Sequence, residues 1–410
     1  MNTPLRAALM LSACLSSTAL AQRQPLTLEE ALRRTLSASP QTASAAARIE
    51  ALAAARTAAG LPPQPTIEVT AENFSPPKRE LYDQFQLTGS YSQRIERGGK
   101  REARVAVADR DLALAGAMAV TQRLDIIAAV QKIYVEVQAA ETSIETARQK
   151  LAVATELERE VLRRVRSARD PIFAGTRAKT WVAEATIDLE LAIHARDAAL
   201  KRLISFWNGP ADVTVSASNF LNFTTPAGPT RISEADLAVA ESRAKRAEAA
   251  IDLQRANAER DPTISAGPRY LRTGDLGFVA GFSIPIGGRR LAQAHVAQAQ
   301  ADQRKVAADV AFERFNRERE IALSAELAEE SRHEAEAIRD QVIPKAEQTL
   351  KEVRGGYSRG FFSFADVSAA QNAVTTARAR MIDAARRFHD AKVDLDRQTG
   401  RFTTIAQEAR

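Results

Sequence analysis

The chain of 410 residues holds one cysteine, Cys14, which excludes an internal disulfide and any cysteine-built metal site. Aromatic residues make up only 5% of it, while hydrophobic residues reach 45%, much of that alanine. The bulky side chains that fill a compact two-layer core are therefore scarce. Alanine mixed with Glu, Arg, Gln, Leu and Lys instead favours long helices meeting along narrow seams. Beyond the N-terminal leader no run of about 18 apolar residues occurs, which argues against a transmembrane helix and leaves β-strands as the way to cross a bilayer. The net charge of +6 is dispersed over mixed-sign stretches such as Glu156-Leu157-Glu158-Arg159-Glu160, without the basic patch that a nucleic-acid partner requires. The four histidines, His194, His295, His333 and His389, fall on separate stretches without metal-ligand spacing, and each reads as a surface residue. No phosphate-binding loop, nucleophile elbow or Cys/His pair is present. The residues thus point to no catalytic site, no cofactor and no resident metal.

The first 21 residues have one early cation, Arg6, an apolar stretch from Ala7 to Leu20, and the ending Ala19-Leu20-Ala21. They read as a secretory signal cleaved after Ala21, with the mature chain starting at Gln22. Leu11-Ser12-Ala13-Cys14 also fits a lipoprotein processing box that would leave Cys14 acylated. Only about six apolar residues would then separate Arg6 from Cys14, short for an export signal, so simple cleavage is favoured.

What the mature chain does contain is a duplication. Leu61-Pro62-Pro63-Gln64-Pro65-Thr66-Ile67 opens one unit and Arg260-Asp261-Pro262-Thr263-Ile264 another. Each is followed by two alternating segments and a basic diglycine, Gly98-Gly99-Lys100-Arg101 in one and Gly287-Gly288-Arg289-Arg290 in the other. A very long helical pattern follows each diglycine. It breaks at Arg169-Asp170-Pro171 in the first unit and at Gly355-Gly356-Tyr357-Ser358-Arg359-Gly360 in the second, before return helices that end near Asn208-Gly209 and Thr399-Gly400. The expected organisation is a signal at 1–21, a first repeat at 22–209, a Pro/Ser/Thr/Asn-rich linker at 210–230, a second repeat at 231–400, and a tail at 401–410 that reads as disordered.

Lys100 to Ser167 contains no proline, and a continuous helix over it would reach about 100 Å. Arg289 to Arg354 is of similar length, with Pro344 as an expected kink. Such helices suit a tube or a spacer. The strands expected at Thr66–Asn73, Gln84–Ile95, Thr263–Leu271 and Leu276–Ile286 alternate with period two, as tilted membrane strands do and as soluble half-buried hairpins also do. Four strands close no barrel around a pore, so the membrane reading requires several copies of the chain.

The duplicated layout, together with Gly356-Tyr357-Ser358-Arg359-Gly360, Phe364-Ala365-Asp366-Val367 and Ala370-Gln371, resembles the TolC-like outer-membrane efflux family over nearly all of the mature chain. Ser92-Gln93-Arg94-Ile95-Glu96-Arg97-Gly98-Gly99-Lys100-Arg101 and Ala168-Arg169-Asp170-Pro171-Ile172 look most like the outer-membrane partners of cobalt/zinc/cadmium efflux pumps. The resemblance implies a mainly α fold with a small β part: coiled-coil hairpins forming a helical barrel, and four strands per subunit completing a twelve-stranded transmembrane β-barrel in a homotrimer. It further implies an outer-membrane location with a large periplasmic part, contact with outer-membrane lipid, a periplasmic adaptor protein, an inner-membrane pump, and a passive duct whose cargo is chosen by the pump. A periplasmic coiled-coil scaffold or adaptor and a protein-secretion duct of the same fold are the alternatives; the tandem strand pairs favour the channel.

Several residues take roles in this reading. Gly98, Gly99, Gly287 and Gly288 are strand-to-helix turns, and the cations Lys100, Arg101, Arg289 and Arg290 either meet lipid headgroups or are solvated helix starts. Three copies of Asp366 would ring the axis at the periplasmic tip, where mutual repulsion should raise their pKa. Multidrug members of the family carry an arginine and a second aspartate where this chain has Phe362 and Ala369. Phe361, Phe362 and Phe364 are accordingly either an apolar constriction or tip packing. Tyr357 should bond an acidic or backbone group on a neighbouring helix, and the tip loops around Asp170, Pro171, Gly356 and Gly360 are the expected adaptor-docking points.

Overall fold

The computed structural model describes residues 25–73, 85–210, 212–224 and 231–408; the leader and Cys14 readings fall outside them. Within these residues the chain runs α1 (Leu28–Ala38), α2 (Pro40–Ala59), β1 (Thr66–Glu72), β2 (Gln86–Arg94), α3 (Lys100–Arg166) and α4 (Ile172–Ser205). It continues through α5 (Glu234–Asn257), β3 (Thr263–Leu271), β4 (Leu276–Ser283), α6 (Arg289–Ala337), a π-helical turn (Ile338–Val342), α7 (Ile343–Arg359), α8 (Phe364–Thr399) and α9 (Thr403–Glu408).

The long pattern after the first diglycine is one unbroken 67-residue helix. Part of α3 is long and apolar enough to cross a membrane, against the expectation from the sequence. That expectation counted uninterrupted apolar residues, whereas alanine-rich stretches with few charges also pass. The helix is instead a packing partner, lying against α2, α4, α5 and α8. The N-terminal helix is broken in two, because Ser39 caps the start of α2 and Pro40 occupies its first position, where a missing N–H costs nothing. Residues 401–408 of the tail are likewise ordered: Ala406 of α9 is buried, and its carbonyl accepts from Arg123 Nη1 at 2.7 Å.

All four strands form one antiparallel sheet in the order β1-β2-β3-β4. Its register places Ile67 beside Tyr91, Leu87 beside Tyr270, Ile264 beside Phe282 and Tyr270 beside Leu276. One face is thus apolar from edge to edge. The other carries Thr66, Glu68, Thr70, Thr88, Ser90, Ser92, Ser265 and Arg269. Among the described residues nothing covers the apolar face: Ile67, Phe278 and Phe282 are 81%, 75% and 68% exposed. A soluble hairpin buries such a face, so a single chain leaves this one for another medium.

At the strand-to-helix turns Gly98, Gly99, Gly287 and Gly288 all have positive φ, as the diglycines predict. A Cβ on Gly98 would stand 2.5 Å from Glu259 Cγ. Lys100 departs from its expected lipid-facing role. It is buried, with Nζ 2.6 Å from Asp261 Oδ1 and donating to the Glu259 carbonyl at 2.7 Å, which ties the start of α3 to the start of the second strand pair. Arg101 pairs with Glu96 at 3.8 Å, and Arg289 and Arg290 are exposed.

Below the sheet α2 packs on α3, α3 on α5 and α5 on α6. The two outermost helices of this row are the least buried: α2 has no buried residue, and α6 buries only Ile321, Ala328, Ser331 and Ala335. Lower down, α3 pairs with α4, and α6 with α7 pairs with α8. Residues 212–224 of the linker are anchored by packing. Phe220 and Phe223 are buried against Ala328, Ala335, Ala385 and Phe388.

Candidate functional site at the lower tip

The lower end of the molecule is built from the α3–α4 turn and the α7–α8 turn. Ala168 takes a left-handed backbone (φ 55), which folds the chain back within a few residues and brings Asp170 under the last turn of α3. The second break is shorter than expected. α7 continues through Gly355 and Gly356 to Arg359, and the turn itself is 360–363. Gly360 closes α7 in a left-handed conformation (φ 90), its N–H bonding the Tyr357 carbonyl at 2.9 Å while the Phe361 N–H bonds the Gly356 carbonyl at 2.9 Å. This is a Schellman closure. Gly356 is buried because the Phe362 ring lies where its Cβ would be.

These turns bring Arg164, Asp170 and Tyr357 together. Arg164 grips Asp170 with two nitrogens, Nε to Oδ2 at 2.9 Å and Nη2 to Oδ1 at 3.0 Å. Tyr357 Oη donates to Asp170 Oδ2 at 2.6 Å, and Arg164 Nη1 donates to the Tyr357 carbonyl at 2.8 Å. The guanidinium also lies 4.7 Å from the centre of the Tyr357 ring. The Arg164 and Asp170 side chains are only 15% and 14% exposed, and Tyr357 is 1% exposed. Hydrogen bonding from Arg164, aided by Tyr357, holds the Asp170 carboxyl below its ordinary pKa against the opposing effect of burial. Burial first, then the bond to Asp170, pushes the Tyr357 phenol well above its ordinary value.

The acidic partner expected for Tyr357 is therefore Asp170. It follows that Asp170, expected as a docking point, is engaged inside the chain. Arg164 had not been singled out. Its only signal was a cation in the last turn of a long helix, common enough to go unnoticed.

Beneath the clasp Phe364 is buried edge-on against Trp181, with ring centres 6.1 Å apart, so it packs the tip and lines no opening. Phe362 is half exposed over Gly356, and Phe361 is exposed with the Arg359 guanidinium 5.6 Å from its ring. Ile172 and Phe173, which follow Pro171, are exposed at the neighbouring turn. Asp366 has a local occupation that the sequence reading overlooked. Ser363 caps α8, and Asp366 closes a capping box, accepting from the Ser363 N–H at 2.8 Å and the Ser363 hydroxyl at 2.7 Å. Those bonds hold its carboxyl below the ordinary range within a single chain.

Of the histidines, His389 departs from the surface reading. It is wedged between Phe220 and Phe388 with ring centres 5.4 and 5.0 Å away, its Nε2 is 2.8 Å from the Phe220 carbonyl, and burial lowers its pKa. Among the described residues no group of acids and histidines is arranged to hold a metal ion.

Residues 31–209 match the family model described as outer membrane efflux protein. The cobalt-zinc-cadmium resistance protein CzcC of Cupriavidus metallidurans is 26% identical over 386 residues, covering 92% of this chain and 90% of CzcC. Among solved structures, the outer membrane protein VceC of Vibrio cholerae superposes with a TM-score of 0.71 at 20% identity, over 90% of this chain and 95% of VceC. CusC superposes with a TM-score of 0.75 at 16% identity, over 90% and 91% of the two chains.

Proposed function

We propose, from the match of residues 31–209 to the outer membrane efflux protein family and the likeness to CzcC, that the chain is a member of that family and that three copies of it form the outer-membrane duct of a tripartite pump, closed at the periplasmic end by the Arg164–Asp170–Tyr357 clasp. The observation that carries the assembly is the coincidence of open edges. β1 and β4 are the free edges of the sheet, and the helices joined to them, α2 and α6, are the least buried of the upper row. One flank of the chain is thus α2 with β1, and the other is β4 with α6. Because β4 runs opposite to β1, the β4 edge of one copy can accept the β1 edge of the next as an antiparallel neighbour. Eight strands from two copies make a barrel that side chains fill, whereas twelve from three leave a passage. The apolar face then meets lipid and the polar face lines the channel.

The clasp is the natural closure, because it joins the α3–α4 hairpin to the α7–α8 hairpin at the end where the tube must narrow. Phe362 sits beside it as an apolar contribution, and Asp366 acts chiefly as a helix cap. Adaptor docking falls to the exposed Ile172, Phe173 and Phe361 around Pro171 and Gly360. The resemblance to a cobalt-zinc-cadmium resistance protein supports divalent metal cations as cargo, handed over by an inner-membrane pump through a periplasmic adaptor. The duct itself needs no ligand cluster for that task.

Two measurements test this. Cross-linking of the detergent-extracted protein should arrest at three chains, and a pattern ending at one or two would overturn the assembly. A strain lacking the gene should become sensitive to cobalt, zinc or cadmium; unchanged metal tolerance with newly acquired drug sensitivity would replace the cargo.

A further inference from the structure

α6, the π turn and α7 form one rod that runs from Arg289 to Arg359 and departs from α-helical geometry in one place. The cause is Pro344. It has no N–H for the carbonyl four residues back, that of Asp340, and the register widens to π over Ile338–Val342. Such a break is where a long helix bends. Below it α7 is lightly held. Its only buried residues are Gly356 and Tyr357, at the clasp; Leu350 and Val353 are partly buried against the lower core, and the remaining side tethers are surface ion pairs, Arg354 with Glu156 and Arg378 of α8 with Glu347.

Above α7 the linker lies against the break itself. Arg339 of the π turn donates to the Leu221 carbonyl at 3.5 Å and lies 5.4 Å from the centre of the Phe223 ring. Leu221 packs against the cluster of Ile338, Ala377 and Met381. Phe223 meets Phe388 of α8 edge-on at 5.6 Å, and Phe220 stacks on His389. Further along the linker, the Ser216 carbonyl accepts from Gln138 Nε2 of α3 at 2.9 Å. Residues 216–223 therefore strap the π turn to both α3 and α8.

We propose that this strap is the fulcrum of the gate: by pinning the π turn it sets how far α7 swings once the clasp releases. The lever is long enough to matter. Tyr357 lies fifteen residues past Val342, about 22 Å along the helix. A bend of about 10° at the turn would therefore move Tyr357 by about 4 Å, more than the 2.6 Å bond to Asp170 tolerates. A linker between two repeats needs only to connect them. Two buried phenylalanines, one of them met by the guanidinium of the rod's own irregular turn, give it this second task.

The inference rests on the clasp being the gate, and the experiment separates the two. Single-channel conductance in planar bilayers is compared for the full-length wild type, Tyr357→Phe, Arg339→Gln with Phe223→Leu, and the combination of all three. Arg339→Gln with Tyr357→Phe, which alters only a partly exposed side chain of the strap contact, is a fourth variant that preserves the buried packing. With the clasp weakened, loosening the strap should raise conductance several-fold above Tyr357→Phe. Pro344→Ala in the same background, which restores the α-helical ladder, should lower it. If Tyr357→Phe raises conductance but neither strap variant changes it further, the fulcrum is overturned and the gate stands. If Tyr357→Phe leaves conductance at the wild-type level, the gate falls and the fulcrum with it.

Discussion

Replacing Asp170 by Asn tests the clasp most directly, because it preserves shape while removing the charge on which three hydrogen bonds converge. Arg164 would keep its bonds to the Tyr357 and Ser358 carbonyls but lose its counter-ion in a setting where its side chain is only 15% exposed. Hydrogen bonds to charged groups contribute about 1.5–3 kcal/mol each, and breaking a fully buried pair costs about 3–5 kcal/mol. The clasp lies at a water-accessible rim and its bonds are not additive, so about 2–3 kcal/mol per chain is the appropriate range. At about 1.4 kcal/mol per tenfold, the ratio of open to closed tips should rise by roughly 30- to 100-fold in each chain. Tyr357→Phe removes one bond and leaves the ion pair, so roughly tenfold is expected of it. The assay is single-channel conductance, with circular dichroism and cross-linking to show that the variants remain folded and assembled. The reasoning is refuted if Asp170→Asn conducts like the wild type, or if Tyr357→Phe opens the channel more than Asp170→Asn does.

Three further outcomes are expected. Because the Asp170 pKa is depressed in the fold, the stability it contributes is present above the ordinary carboxylate pKa of about 4 and is lost as pH falls through its lower folded value. The raised Tyr357 pKa keeps its contribution intact up to about pH 10. Conductance should accordingly stay flat between about pH 5 and 9 and rise only in stronger acid, whereas a step near pH 5–6 would restore the acidic ring of Asp366. In the sheet, Phe278→Lys should cost about 2–4 kcal/mol if it faces mid-bilayer and sharply reduce outer-membrane insertion, while Thr70→Lys on the opposite face should insert normally; equal insertion of the two, read by fractionation, would contradict the assignment of faces. Gly98→Ala, at a left-handed position crowded by Glu259, should lose about 1–2 kcal/mol and lower the thermal midpoint, whereas Gly116→Ala in the interior of α3, with open space around it, should gain up to about 1 kcal/mol.

The architecture was legible in the sequence because its determinants are local. Diglycines can be read as left-handed turns, period-two alternation as amphipathic strands, and a long proline-free stretch as a single rod. β3 matches its expected bounds, and the other strands differ from theirs by a few residues. The tip was less legible, since its chemistry depends on residues brought together from 187 and 193 positions apart. Tyr357 announced itself as an aromatic in a glycine-rich segment, but nothing in its neighbourhood named Asp170 as its acceptor. Arg164 looked like any other cation on a charged helix. The cap formed by Asp366 was legible for the opposite reason. A capping box is a short-range motif, Ser363 followed three residues later by an acid, though attention to a distant ring obscured it. The linker escaped notice because its Phe220 and Phe223 sit among polar and small residues, and only tertiary packing turns them into an anchor.

The unpaired edges of the sheet have a consequence for how the molecule is made. A lone chain can complete its helices, whose hydrogen bonds close within each segment. It cannot complete its wall, because β1 and β4 offer rows of unmet backbone donors and acceptors beside an apolar face. In hydrocarbon each unmet group costs several kcal/mol. Entry into the bilayer should therefore wait for assembly, and its rate should climb steeply with the concentration of chains. The same edges are a hazard in the interim, since a chain that meets the wrong partner can extend the sheet without closing it. If the barrel is shared among copies as proposed, biogenesis is a race between closure and aggregation, decided by the number of copies that meet in the periplasm before the first strand reaches lipid.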